Sequence, residues 1–89
     1  MPTRIDLIDW VQEALRAHGG RATVVEVCEY VWGKYESILR DSGKLFYTWQ
    51  YDVRWAATAL RRRGIMRAAA ESQDRTWELV DSSSPNGQP

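Results

Sequence analysis

Residues 49 to 64 of this chain read WQYDVRWAATALRRRG. At about 100° per residue, the apolar side chains of this stretch gather on one side of a helix. These side chains are Trp49, Val53, Ala56, Ala57 and Leu60. A run of arginines comes just before Gly64, and both features are typical of a helix C-terminus. We therefore predict a helix that has Thr48 as its N-cap, ends near Arg63 and buries its apolar side.

The other side of this helix carries side chains that suit contact with DNA. They are Tyr51, Arg54, Trp55, Thr58 and Arg62, with Gln50 and Arg61 at the margins. Arginine can bind guanine through two hydrogen bonds, glutamine can read adenine, and threonine can contact a thymine methyl group or a phosphate. The predicted base-reading residues are Gln50, Tyr51 and Arg54, because the N-terminal part of a recognition helix contacts the bases. The predicted phosphate-binding residues are Thr48, Thr58, Arg61 and Arg62.

A first helix is predicted from Ile5 to His18, where apolar residues recur at helical spacing. Thr3 is its predicted cap. Gly19 and Gly20 end it, because glycine adopts the left-handed conformation that a helix stop needs. The short stretch Arg21-Ala22 that follows is predicted to be extended.

A second helix is predicted to begin at Thr23, which forms a capping box with Glu26. Gly33 weakens the end of this helix, and residues 36–40 are predicted to add another turn. Residues 45–47, Leu-Phe-Tyr, are interpreted as an apolar connector to the third helix.

Two short strands complete the predicted fold, at residues 65–67 and 76–80, with a loop over residues 68–75 between them. The stretch Arg21-Ala22 can add a further strand. This order predicts an α+β winged helix-turn-helix with a two- or three-stranded antiparallel β-wing. It has three helices, or four if residues 36–40 form a separate one. Arg67 and Arg75, at the two ends of the hairpin, are further candidates to bind phosphates or to enter a minor groove.

The length of 89 residues predicts one domain, which we assign to residues 1–80. Residues 81–89 have the composition of a flexible tail or linker. The chain shows neither a long apolar run nor the apolar core of a signal peptide. A single cysteine, Cys28, cannot form an internal disulfide. We therefore expect a cytoplasmic location and no membrane partner.

The net charge of zero conceals an uneven distribution. Residues 44–67 hold six basic side chains and one acidic side chain, which gives a net charge of +5. The segments before and after have net charges of −2 and −3. A basic segment of this kind favours a polyanionic partner such as double-stranded DNA, and the alternative is an ordinary solvated face.

The sequence contains little evidence of a catalytic site. The single histidine, His18, lies at a predicted helix end, where it interacts with the helix dipole. Cys28 lies on the apolar stripe of the second helix and is expected to be an inert thiol. The chain contains no metal-binding spacing, no P-loop and no nucleophile elbow. We predict that it is not an enzyme and needs no cofactor.

A second interpretation of the function comes from the aromatic residues. Five tryptophans, four tyrosines and one phenylalanine exceed what a core of this size needs. Exposed aromatic side chains are enriched at protein interfaces. The alternative function is therefore a protein-interaction domain that forms a homodimer or docks a fused or partner domain. Trp55 is expected to pack against a neighbouring element more readily than to contact DNA.

Residues 49–66, followed by Arg75-Thr76-Trp77-Glu78-Leu79, resemble the N-terminal winged-helix domain of Mrr-type restriction proteins. The features of that family found here are V-R-W-A at residues 53–56, then a leucine, basic residues and a glycine, and finally a strand with an aromatic residue. The resemblance covers most of residues 5–80. The segment 36–47 and the acidic residues Glu71 and Asp74 depart from the family pattern.

The resemblance implies that the chain binds DNA. In Mrr-type proteins a separate nuclease domain cuts the DNA, and no nuclease motif is found in this sequence. The implied function is that of a bacterial transcriptional regulator, or of the recognition domain of a restriction or defence system.

Overall fold

The computed structural model describes residues 3–67 and 76–80. Over these residues the chain is a small α+β domain of three helices and a two-stranded antiparallel sheet. In chain order the elements are α1 (Arg4–Ala17), β1 (Arg21–Thr23), α2 (Val24–Arg40), α3 (Lys44–Arg62) and β2 (Thr76–Glu78). Strand β1 pairs with β2, and Ala22 lies opposite Trp77.

Helix α1 confirms the first predicted helix to within one residue at each end. The Ile5 N–H donates to the Thr3 hydroxyl at 3.2 Å, and the Thr3 N–H donates to the Asp6 carboxylate at 2.8 Å. These hydrogen bonds satisfy N–H groups that have no partner inside the helix. Gly19 and Gly20 follow with φ angles of 77° and 98°, so the chain leaves the helix through the predicted glycine turn.

Helix α2 begins with the predicted capping box. The Glu26 N–H donates to the Thr23 hydroxyl at 3.1 Å, and the Thr23 N–H donates to the Glu26 carboxylate at 2.8 Å. Beyond Gly33 the helix continues to Arg40, with a kink at Tyr35, where φ is −116° and ψ is 16°. The predicted extra turn is therefore the last part of α2, and no separate fourth helix forms among the described residues.

The kink of α2 lies where Tyr35 contacts α1. The Tyr35 ring stacks on Trp10 with centroids 4.0 Å apart, and its hydroxyl donates to Glu13 at 2.5 Å. The same carboxylate accepts a hydrogen bond from Tyr30 at 2.7 Å and pairs with Lys34. This polar cluster, Glu13 with Tyr30, Lys34 and Tyr35, joins the two helices.

Helix α3 begins at Lys44, five residues before the start predicted from a cap at Thr48. Gly43 caps it with a φ of 66°, and the Phe46 N–H donates to the Gly43 carbonyl at 3.1 Å. The prediction of an apolar connector at residues 45–47 was wrong, because Leu45 lies one helical turn before Trp49 and shares its buried side. Thr48 is therefore inside the helix and is not its cap.

The predicted buried side of α3 is confirmed. Its five apolar residues, Trp49, Val53, Ala56, Ala57 and Leu60, are at most 5% exposed. They pack in one core with buried side chains of α1 and α2, among them Leu7, Val11, Val27 and Val31. Trp77 on β2 is 6% exposed and packs in this core from the sheet.

The chain after α3 confirms only part of the predicted hairpin. Gly64 has a φ of 75°, and Met66 forms a single bridge with Leu79 in place of a strand at residues 65–67. Hydrogen bonds of 2.8 Å run from the Arg67 N–H to the Glu78 carbonyl and from the Val80 N–H to the Ile65 carbonyl. The predicted loop at residues 68–75 and the predicted tail at residues 81–89 lie outside the described residues.

Candidate functional site

The outward side of α3 is polar and exposed, as the sequence predicted. Its exposed residues are Gln50, Tyr51, Arg54, Thr58 and Arg62. Trp55, on the same helix, is half-buried and packs against the core. The predicted base-reading residues Gln50, Tyr51 and Arg54 are brought together, because all three line one cleft beside α2.

This α2–α3 cleft is a concave region on α3. It has a volume of about 720 Å³ and is open to solvent. It is lined by Val24, Val25, Cys28, Glu29 and Trp32 of α2 and by Phe46, Trp49, Gln50, Tyr51 and Arg54 of α3. The rings of Trp32 and Trp49 stack across the two helices, with centroids 5.8 Å apart and planes 8° apart. One wall of the cleft is therefore a fixed aromatic surface.

The polar groups of the α2–α3 cleft remain available to a ligand. Within the described part of the chain, the side chains of Gln50 and Arg54 have no hydrogen bond or ion pair. Burial raises the pKa of the Cys28 thiol, and the positive charge of Arg54 opposes this effect. The thiol is therefore protonated and neutral at physiological pH, while Arg54 supplies positive charge to the cleft.

A second concave region lies at the C-terminal half of α3. This basic pocket has a volume of about 300 Å³ and is lined by Trp55, Thr58, Ala59, Arg62 and Arg63. The guanidinium of Arg4, from the start of α1, lies over the Trp55 ring at 4.4 Å from its centroid. Arg62 and Arg63 line the pocket and Arg4 contacts its Trp55, so the region carries positive charge that suits an anion such as a phosphate.

Sequence reasoning missed Arg4 as part of this surface. Arg4 lies in the first turn of α1, far along the chain from Trp55, and only the packing of α1 on α3 brings the two together. The one indication in the sequence was a positive charge at a helix N-terminus, where the helix dipole disfavours it. Trp55 itself packs beside a neighbouring element, as expected.

Two predicted phosphate-binding residues contribute to the structure of the domain. The Nε of Arg61 donates to the Arg67 carbonyl at 3.1 Å, and the Nε of Arg67 lies 3.7 Å from a carboxylate oxygen of Glu78. Both side chains therefore hold the segment after Gly64 against α3 and β2. Arg75 lies outside the described residues.

The two threonines that were predicted to bind phosphates differ in their surroundings. Thr48 donates to the Asp52 carboxylate at 2.8 Å, so its hydroxyl is engaged beside a negative charge. This contact within one helical turn is possible because Thr48 lies inside α3, and the binding of a phosphate by Thr48 stays a prediction. Thr58 is exposed, borders the basic pocket, and its hydroxyl donates to the Arg54 carbonyl at 3.2 Å.

The remaining reactive groups do not form a catalytic arrangement in the described ranges. His18 caps α1, and its Nδ1 lies 2.9 Å from the Ala14 carbonyl, as expected for a residue at a helix end. Over residues 3–67 and 76–80, no three histidine, cysteine or carboxylate side chains come together as a metal site would require. None of the helices described is both long enough and apolar enough to span a bilayer.

Glu13 has the most strongly shifted pKa in the polar cluster between α1 and α2. Hydrogen bonds from Lys34, first, and from Tyr35 lower this pKa from 4.5 to about 2. The carboxylate is therefore ionised and fully engaged in contacts between helices, which gives it a structural role.

Comparison of the chain with protein-family models, with curated proteins and with solved structures gave no match.

Proposed function

We propose that this chain is a DNA-binding winged-helix domain whose α3 enters the major groove of double-stranded DNA. The observation that carries the proposal is the row of exposed polar side chains along α3, from Gln50 through Arg54 and Thr58 to Arg62. This row ends in the basic pocket, which Arg63 also lines and whose Trp55 contacts Arg4. Arg54 and Arg62 of α3 form no ion pair with any residue in ranges 3–67 and 76–80. In a chain without net charge, this concentration of arginines on one helix favours a polyanionic ligand.

The order of the elements supports the same proposal. Helix α2 and helix α3 would form the helix-turn-helix, and β1 and β2 would form the base of the wing. The resemblance of residues 49–66 to Mrr-type winged-helix domains agrees with this assignment. We propose a role as a cytoplasmic transcriptional regulator or as the recognition domain of a restriction or defence system.

The proposed DNA-binding surface consists of base-reading residues, phosphate-binding residues and residues that support them. Gln50, Tyr51 and Arg54 read bases, since all three are exposed in the middle of α3 and line the α2–α3 cleft. Thr58 and Arg62 bind phosphates and are joined by Arg4 and Arg63. Arg61 and Arg67 hold the chain after α3 in place and support this surface. The proposal includes no enzymatic step and no cofactor.

The test is a titration of a fluorescently labelled mixed-sequence duplex, followed by anisotropy at two salt concentrations. We expect binding that weakens steeply with salt, because phosphate contacts release counterions. Arg62→Ala lowers affinity for all sequences and reduces the salt slope by about one unit. Arg54→Ala weakens binding and relaxes the preference among sequences, because the residue contacts bases.

The matched control for these variants is Arg16→Ala. Arg16 is exposed and has the same charge, but it lies in the last turn of α1. The Arg16→Ala substitution should leave the salt slope of DNA binding unchanged. Equal losses for Arg16→Ala and Arg62→Ala would show that only net charge matters, and absence of binding at low salt would refute the proposal.

A second candidate function is supported by exposed apolar side chains on α2 and α3, and two of them, Val25 and Tyr51, line the α2–α3 cleft. Tyr47 is 84% exposed, Tyr51 77% and Val25 65%. Such a group of side chains is also typical of a protein interface. Sedimentation velocity over a range of concentrations tests for self-association, and Tyr47→Ser with Tyr51→Ser should abolish it if these residues form a dimer interface.

A further inference from the structure

We propose that the α2–α3 cleft receives an unpaired nucleobase of a DNA strand whose phosphates lie along α3. This inference rests on the proposed DNA-binding function and specifies the form of DNA that is bound. Three observations carry it: the shape of the cleft, its aromatic walls, and the unpartnered polar groups at its edge.

The shape of the α2–α3 cleft favours a ring over the edge of a base pair. A paired base in the major groove presents only its edge to a convex helix surface. The cleft is a concave space of about 720 Å³ between two helices, within the size range of small-molecule sites. A nucleobase can fill this cleft only if it leaves the base stack of the duplex and enters the space between the helices.

The walls of the cleft suit a flat aromatic group. Trp32 and Trp49 stack on each other, Trp49 is 5% exposed and Arg40 lies over the Trp32 ring, so the pair forms a rigid apolar base of the cleft. Tyr51 is 77% exposed, so a face of its ring is free for stacking. Stacking on aromatic side chains tolerates any base sequence, because every base has a π face.

The polar groups at the edge of the cleft distinguish a base from an apolar partner. Among the described residues, Gln50 and Arg54 make no side-chain hydrogen bond that a ligand would have to break. The amide of Gln50 can both donate to and accept from the edge of a base that has lost its pairing partner. A purely apolar protein segment would instead desolvate these groups and leave them without partners.

The basic pocket supplies the contacts for the rest of the strand. Tyr51, Thr58 and Arg62 lie on the same side of α3, and about 17 Å of helix axis separates Tyr51 from Arg62. A strand that places one base in the cleft can therefore lay phosphates several nucleotides away against Arg62, Arg63 and Arg4. The two concave regions together match a base and the backbone of the same nucleic acid.

The experiment compares a fully paired duplex with a duplex of the same sequence that carries one bulged 2-aminopurine. Anisotropy gives the affinity, and the emission of 2-aminopurine reports the surroundings of the unpaired base. We expect the bulged duplex to bind roughly tenfold more tightly, in keeping with the stacking of one base on aromatic residues. The emission should change when the protein binds.

Two variants locate the effect. Tyr51→Ala should reduce the preference for the bulged duplex to near unity and remove the emission change. Tyr47→Ala is the matched control, because Tyr47 is an equally exposed tyrosine on α3 that does not line the cleft. It should retain the preference. Both side chains are exposed, so neither substitution disturbs the core.

Different failures have different meanings in this experiment. Equal, salt-dependent affinity for the two duplexes would overturn the inference and leave the proposed DNA binding intact. A preference that persists in Tyr51→Ala would also overturn it, because the base would then bind elsewhere. No binding to either duplex would overturn both proposals.

Discussion

Glu13 shows how single side chains join the helices of this domain. Its carboxylate accepts hydrogen bonds from Tyr30 and Tyr35 and pairs with Lys34, and its pKa falls to about 2. Because the folded-state pKa lies below 4.5, the charged cluster stabilises the fold above that pH. The contribution is lost as the pH falls from 4.5 towards 2.

We predict that Glu13→Gln lowers the free energy of unfolding by about 1 kcal/mol at pH 7, since screening weakens a partly exposed cluster. Urea unfolding of both proteins at pH 7 and at pH 3 measures the effect, and the difference should be smaller at pH 3. Glu36→Gln is the control, because it removes only a surface pair with Arg40 and should cost about 0.3–0.5 kcal/mol. A Glu13→Gln effect that is independent of pH would contradict the assigned role of the charge.

At the scale of elements, the start of α3 depends on the backbone of Gly43. Its φ of 66° and ψ of −125° match the first central residue of a type II′ turn, a conformation that glycine adopts readily. Gly33 differs, because it lies inside α2 and a Cβ atom there meets no other atom within 4 Å.

The two glycines therefore predict opposite effects of the same substitution. Gly43→Ala should lower the melting temperature, at a cost of about 1 kcal/mol or more, because alanine is strained at this φ. Gly33→Ala should raise the melting temperature, with a gain of about 0.5–1 kcal/mol in the free energy of unfolding, because alanine favours the helix. Thermal unfolding followed by circular dichroism measures both, and a stabilising Gly43→Ala would contradict the turn described here.

The helices and turns also show which structural features the sequence could predict and why it could not predict the others. The buried side of α3, the Thr3 and Thr23 caps and the glycine turn at residues 19–20 depend on neighbouring residues, so local patterns predicted them. The start of α3 did not follow from Thr48, because the burial of Leu45 outweighed the preference of threonine for the cap position. The contact between Arg4 and Trp55 depends on tertiary packing, which no local pattern records.

At the scale of the whole molecule, the short sheet joins β2, near the end of the described chain, to β1, which lies between α1 and α2. Trp77 is the large side chain of β2, lies opposite Ala22 of β1 and is buried against the helical core. The sheet has only two strands among the described residues, so it relies on this packing, since an isolated strand pair is marginal in water.

We predict that Trp77→Ala costs about 3–5 kcal/mol of unfolding free energy. That is a large part of the stability of a typical domain, so the variant should be partly unfolded at physiological temperature. Trp55→Ala is the comparison, because Trp55 is only half-buried and should cost less. Urea unfolding at 25 °C gives both values, and a Trp77→Ala cost below that of Trp55→Ala would contradict the contribution of β2 to the core.

The position of Cys28 gives this molecule a built-in chemical reporter. It is the single thiol of the chain, and it faces the α2–α3 cleft from α2. Its raised pKa makes modification by an aromatic disulfide reagent slow at neutral pH and faster as the pH rises. Whatever occupies the cleft shields this sulfur, so the rate of labelling of the unmodified protein measures occupancy directly.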